Sequence, residues 1–119
     1  MLKKTMTYKD FDGNERTETF LFNLTNAEIT EMELSISGGL VQTIEKIVEA
    51  QNAPKIIELF KGVVLQAYGE KSADGKYFVK SKEISEAFSH TQAYSDLFME
   101  LATNAEAASA FINAIVPEN

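Results

Sequence analysis

Tyr68-Gly69-Glu70-Lys71-Ser72-Ala73-Asp74-Gly75-Lys76-Tyr77-Phe78-Val79-Lys80 interrupts a succession of helical patterns. Gly69 is a stop signal after a long apolar run. Asp74-Gly75 is a turn signal, because glycine reaches positive φ without a Cβ clash. The stretch therefore reads as a loop or a small hairpin at 69–80. Upstream, Ile56, Ile57, Leu59, Phe60, Val63, Val64, Leu65 and Tyr68 cover well over half the circumference of a helix predicted from about Ala53 to Ala67. Such a helix belongs in the core with other elements on two sides, and Pro54 suits its first turn, where no amide donor is needed. Downstream, Ser81 reads as an N-cap for a short helix with Ile84 and Phe88 inward. Thr91 reads as the cap of the next helix, whose inner face is Tyr94, Leu97, Phe98 and Leu101. Thr103-Asn104-Ala105-Glu106 fits a capping box before Ala107, Ala108, Phe111, Ile112 and Ile115, and Pro117 ends that helix.

Toward the N-terminus the period is helical as far back as Thr25. Thr25-Asn26-Ala27-Glu28 is a second capping box, opening a helix to about Leu34 with Ile29, Met32 and Leu34 inward. Ser35-Ile36-Ser37-Gly38-Gly39 breaks it, and Val41, Ile44, Ile47 and Val48 mark a further helix reaching about Gln51. Before Thr25 the period is two. Leu2, Met6 and Tyr8 share one parity against Lys3, Thr5, Thr7 and Lys9, and Phe20 and Phe22 share a face of the run from Arg16 to Phe22. Asp12-Gly13 between them signals a β-hairpin. The expected fold is mainly α: a small N-terminal β-hairpin (1–22) followed by a compact bundle of five or six helices (25–116), with the loop or small hairpin at 69–80, all in a single domain over 1–119.

The composition excludes much chemistry. The 119 residues contain no Cys, so a disulfide, a thiolate metal site and a cysteine nucleophile are all ruled out; His90 alone does not make a multi-histidine centre. A net charge of −7 opposes binding to a phosphate backbone, so nucleic acid is not an expected partner. The first 22 residues carry balanced charge, Lys3, Lys4, Lys9 and Arg16 against Asp10, Asp12, Glu15 and Glu18, so the excess lies in the rest of the chain. No continuous apolar stretch suits a signal peptide or a membrane span.

No candidate constellation reaches a catalytic or metal assignment. Asp10-Phe11-Asp12-Gly13-Asn14-Glu15 superficially suggests a calcium loop, but its Gly follows directly on the second Asp, and a plain hairpin turn is the stronger reading. His90 with Asp96 or a nearby Ser is a conceivable general base, yet a C-capping histidine at a helix end is the favoured reading. Glu31 with Glu33, Glu45 with Glu49, and Glu83 with Glu86 describe solvated helix faces better than a carboxylate pair in a cleft. Gly38-Gly39 lacks the Lys-Ser/Thr of a phosphate loop. Tyr77-Phe78-Val79 is the most interesting exposed anchor for a partner, although a strand folded back on the core is the favoured reading. An enzyme is not expected, nor a cofactor.

Three stretches carry a resemblance. Lys4-Thr-Met-Thr-Tyr-Lys-Asp-Phe-Asp-Gly-Asn-Glu-Arg-Thr-Glu-Thr-Phe20, and the stretches Tyr68 to Ser81 and Phe88 to Pro117 with the distinctive Ala-Tyr-Ser-Asp-Leu-Phe-Met-Glu-Leu, are similar to the tail assembly chaperones of long-tailed bacteriophages of Gram-positive hosts. The resemblance implies a cytoplasmic protein of the infected host that binds the tape measure protein and keeps it soluble while tail tube subunits polymerise around it. It further implies a longer frameshifted form that recruits the tail tube protein, absence from the mature virion, and possible homo-oligomers, and it supplies no catalytic residues. A structural tail component without chaperone activity is the alternative.

Overall fold

Alternation in the first two segments builds a long hairpin. β1 (Leu2–Lys9) and β2 (Glu15–Phe22) pair antiparallel from Leu2 opposite Phe22 to Lys9 opposite Glu15. Residues 1–35 and 53–116 are described by the structure, a computed structural model. Gly13 sits in the connecting turn with φ 84°. The Asp10 carboxylate closes that turn, accepting from the amides of Asp12 (3.0 Å) and Asn14 (2.9 Å) and from Arg16 Nε (2.7 Å). Its oxygens are thus directed to the turn itself, as the hairpin reading of Asp10–Glu15 requires.

On the outer face of the hairpin, Thr5 meets Thr19 and Thr7 meets Thr17 through their hydroxyls at 2.9 and 3.0 Å. On the inner face Tyr8, Phe20 and Phe22 are buried, with Leu2 and Met6 packed against the same cluster. The chain then forms α1 (Asn26–Ser35) and, after residues outside the description, α2 (Ala53–Ala67). The helix expected around Val41, Ile44, Ile47 and Val48 lies outside the described residues.

At the end of α2 the chain enters a strand directly. β3 (Tyr68–Lys71) pairs antiparallel with β2, Tyr68 opposite Phe22 and Gly69 opposite Leu21. It turns back through Asp74-Gly75 into β4 (Phe78–Val79), giving a sheet in the order β1-β2-β3-β4. Gly75 has φ 77°. Asp74 accepts from Ser72 Oγ at 2.7 Å and from the Lys76 amide at 3.0 Å, and these bonds hold its carboxyl below the usual range. Three helices follow: α3 (Lys82–Ser89), α4 (Gln92–Thr103) and α5 (Ala105–Ile115).

The mainly α class is therefore corrected. The described residues form a four-stranded antiparallel sheet with five helices, a mixed α/β fold. The small hairpin at 69–80 is present, but it joins the N-terminal hairpin in one sheet instead of standing apart from it. Its strands are too short to display alternation, and its partner β2 is remote in sequence.

Capping follows the sequence with one shift. Thr25 and Glu28 close a reciprocal box, the Glu28 carboxylate accepting from the Thr25 amide at 2.9 Å and Thr25 Oγ1 from the Glu28 amide at 3.2 Å. Ser81 and Thr91 accept from the amides of Ile84 and Tyr94, both at 3.1 Å. At α5 the cap is Asn104 and not Thr103: Asn104 Oδ1 accepts from the Ala107 amide at 3.1 Å, while Thr103 Oγ1 donates back to Met99 O at 2.6 Å.

The core lies between the inner face of the sheet and the helices, with Val63, Val64 and Ala67 of α2, Ala93, Leu97 and Leu101 of α4, and Ala108, Phe111, Ile112 and Ile115 of α5. The connector Asn23-Leu24 runs through it. Its amides donate to Ala67 O and Ile115 O, both at 2.9 Å, and so satisfy carbonyls that two helix C-termini leave unpaired.

Candidate functional site

A groove of about 460 Å³ opens where α3 leans over β1, β2 and β3. Its floor is aromatic because the inward parity of β1 and β2 delivers Tyr8 and Phe20, the first residue of β3 delivers Tyr68, and the inner face of α3 delivers Phe88. Tyr68 and Phe88 stack with ring centres 4.1 Å apart and planes 13° from parallel, and Phe20 tilts against Phe88 at 5.3 Å. Ile84 and Ala87 of α3 add aliphatic surface, and the rim carries Arg16, Glu18, Glu70 and Glu83.

The electrostatics of the rim are one-sided. Arg16 bonds Asp10 through Nε at 2.7 Å and also faces Glu18, so the rim sets three carboxylates, Glu18, Glu70 and Glu83, against one cation and its balance is acidic. The Tyr8 hydroxyl donates to the Glu18 carboxylate, and this bond raises the phenol above its ordinary pKa. Tyr68 is raised as well, first by burial and then by the charges of Glu70 and Glu18. Both phenols therefore stay protonated at neutral pH, and neither supplies a base.

A second hollow of about 350 Å³ lies between β1, α4 and α5, lined by Leu2, Leu101, Ala107, Ala110, Phe111 and Ala114. Lys4 and Glu100 pair beside it at 3.0 Å. One cation and one carboxylate balance there, whereas three carboxylates face one cation at the rim of the larger groove.

Sequence candidates for chemistry are dispersed. His90 is exposed at the C-cap of α3, its backbone amide bonded to Ala87 O at 3.2 Å, as the capping reading holds. Asp96 accepts instead from Gln92 on its own helix at 2.9 Å. Glu83 and Glu86 are both exposed on α3, Glu86 lying 3.8 Å from Lys82. Glu31 is exposed on α1; the side chain of Glu33, the pair Glu45 and Glu49, and Gly38-Gly39 lie outside the described residues. Among the described residues no three His, Asp or Glu side chains gather as metal donors.

The Tyr77–Val79 triplet divides. Phe78 is half-buried against Gly69 of the paired strand and is not in the core cluster, whereas Tyr77 and Val79 remain 59% and 46% exposed. Sequence reasoning missed the groove, since its residues come from separate elements. Helical spacing alone places Tyr68 on the stripe of the core helix, which it extends, and Phe88 on the inner face of an independent short helix.

The model of the phage tail assembly chaperone family matches residues 1–119, the whole chain. The chain belongs to that family. The resemblance carried by Lys4–Phe20, Tyr68–Ser81 and Phe88–Pro117 thus holds at family level. No curated protein and no solved structure matches it. In this tail assembly chaperone family member, no described helix is long and apolar enough to cross a membrane. Of the two recesses described above, the aromatic groove with its acidic rim is the larger.

Proposed function

We propose that this chain binds the tape measure protein in the cytoplasm of the infected bacterium and keeps it soluble while tail tube subunits polymerise around it. The observation that carries this reading is the family match over residues 1–119. Physical chemistry supports it. A holder of a long, partly apolar client needs recessed apolar surface for contact and net charge for solubility of the complex. The groove between α3 and the sheet offers the first, and a charge of −7, all of it beyond the first hairpin, offers the second. The chain acts by binding, without turnover or cofactor. A longer frameshifted form recruits the tail tube protein, and the short form is absent from the finished particle.

Co-expression tests the reading. Tape measure protein produced with this chain should move from the pellet to the soluble fraction and co-purify with it; unchanged solubility, with the two proteins eluting separately at micromolar concentration, overturns it. Stoichiometric amounts of the chain in purified particles would instead mark a structural tail component.

A further inference from the structure

The groove between α3 and the sheet is unbalanced in a way that specifies its ligand. Its floor is the Tyr68–Phe88 stack, its wall is Ile84, and its rim carries Glu18, Glu70 and Glu83. Arg16, the cation of the lining, bonds Asp10 through Nε at 2.7 Å, and the three rim carboxylates outnumber it. The complementary ligand therefore brings a cation on an apolar stem. Arginine and lysine have that form, with methylenes that cover aromatic and aliphatic surface while the charged head reaches a carboxylate. A cation beside a ring face gains further from the ring's negative centre. At about 460 Å³ the recess suits one or two side chains and not a whole helix laid in a trough.

We propose that this groove is the docking site for a client segment in which an arginine or lysine stands among apolar residues, its stem against Tyr68 and Ile84 and its head between Glu70 and Glu83. This rests on the holding function proposed above and adds the chemistry of the segment held. Arginine is the better fit, because its planar guanidinium both stacks on a ring and bonds a carboxylate through two donors. An acidic apolar segment is rejected by the same rim.

Two experiments test the docking site separately from the function. In the first, the full chain labelled with nitrogen-15 is titrated with a short synthetic helix of leucine and alanine bearing central arginines, and with the same helix bearing glutamates. The arginine peptide should shift the amide resonances of Tyr68, Glu70, Glu83, Ile84 and Phe88, and the glutamate peptide should not. The double variant Glu70→Lys with Glu83→Lys should weaken the arginine peptide at least about fivefold, as expected when two attractive rim charges become repulsive. Glu31→Lys with Glu58→Lys makes the same change in net charge at exposed positions outside the groove and should leave affinity within about twofold, the scale of a screened distant charge. Equal binding of the two peptides, shifts confined to another surface, or full affinity in the groove variant overturns the proposal. So does a groove variant that alters only the chain's own oligomeric state, which makes the face a contact between copies.

In the second experiment both double variants are co-expressed with the tape measure protein. The groove variant should lose most of the solubilised client and the control variant should retain it. Client solubilised equally by wild type and both variants overturns the docking site and leaves the holding function standing. Client insoluble even with the wild type overturns the function, and the peptide titration then decides the groove by itself.

Discussion

Gly69 is the residue on which the second hairpin closes. A Cβ built there lies 2.8 Å from a ring carbon of Phe78 and 2.8 Å from the Val79 carbonyl oxygen. The oxygen belongs to the backbone of the paired strand, so relief requires the hairpin to open. Gly69→Ala should destabilise the chain by about 1–3 kcal/mol, the usual range for forced overpacking. Urea unfolding should show the lower midpoint. Glu28 makes a different claim on its surroundings. Burial alone would raise its carboxyl, but the bond from Lys80 Nζ at 2.5 Å and the bonds from Thr25 outweigh that, and the net displacement is below the usual glutamate range. The folded state thus binds this proton more weakly than the unfolded chain. Its contribution is complete above the ordinary glutamate range and is lost as pH falls through the depressed value. Glu28→Gln keeps a side chain that can still return to the Thr25 amide, but it removes the titrating charge. The variant should unfold at lower urea concentration than wild type at neutral pH, and the difference should shrink between about pH 5 and pH 3. A constant difference over that window would assign the stability to another group.

At the scale of elements, the shifted cap of α5 separates two readings of the same four residues. Asn104 bonds the free amide of Ala107, while Thr103 turns back to the preceding helix. Asn104→Ala should cost about 1 kcal/mol, the typical value for an N-cap, and Thr103→Ala clearly less; thermal melts of the two variants give the comparison. The remaining caps, at Thr25, Ser81 and Thr91, were legible because each depends on residues within three positions of one another. The first hairpin was legible for the same reason, its parity and its Asp12-Gly13 turn being local. The joining of two hairpins into one sheet was not. β3 and β4 have four and two residues, and β3 pairs with a strand on the far side of α1 and α2. Tyr68 also falls where a helix stripe through Val64 and Leu65 would place its next apolar residue, so helical spacing runs past the true end of α2 at Ala67. The groove inherits the same difficulty. Tyr8, Tyr68 and Phe88 are each readable as inward, but only the non-local pairing of β2 with β3 brings them to one floor.

For the whole molecule, the question is what makes sheet and helices one folding unit, and Phe88 is the strongest candidate. Its ring lies 5.3 Å from Phe20 and 5.8 Å from Phe22 on β2, 4.1 Å from Tyr68 on β3, and 5.6 Å from Tyr94 on α4. One side chain, 3% exposed, thus contacts both hairpins and a helix beyond its own. Truncating a buried phenylalanine costs about 3–5 kcal/mol when the cavity does not collapse, a large share of the roughly 5–15 kcal/mol that holds a domain folded. Phe88→Ala should therefore do more than lower a midpoint. With the shared ring gone, the helices and the sheet lose their common packing partner, and their transitions should separate. The chain has no Trp, and three of its four tyrosines, Tyr8, Tyr68 and Tyr77, lie in the two hairpins, so tyrosine fluorescence is weighted to the sheet while far-ultraviolet circular dichroism follows the helices. Wild type should give coincident urea transitions by the two probes, the mark of two-state unfolding. Phe88→Ala should give displaced ones, and Phe88→Leu, which refills part of the space, should restore coincidence at an intermediate midpoint. Coincident transitions in Phe88→Ala would show that the Asn23-Leu24 connector, bonded to the ends of α2 and α5, holds the two layers together without the ring.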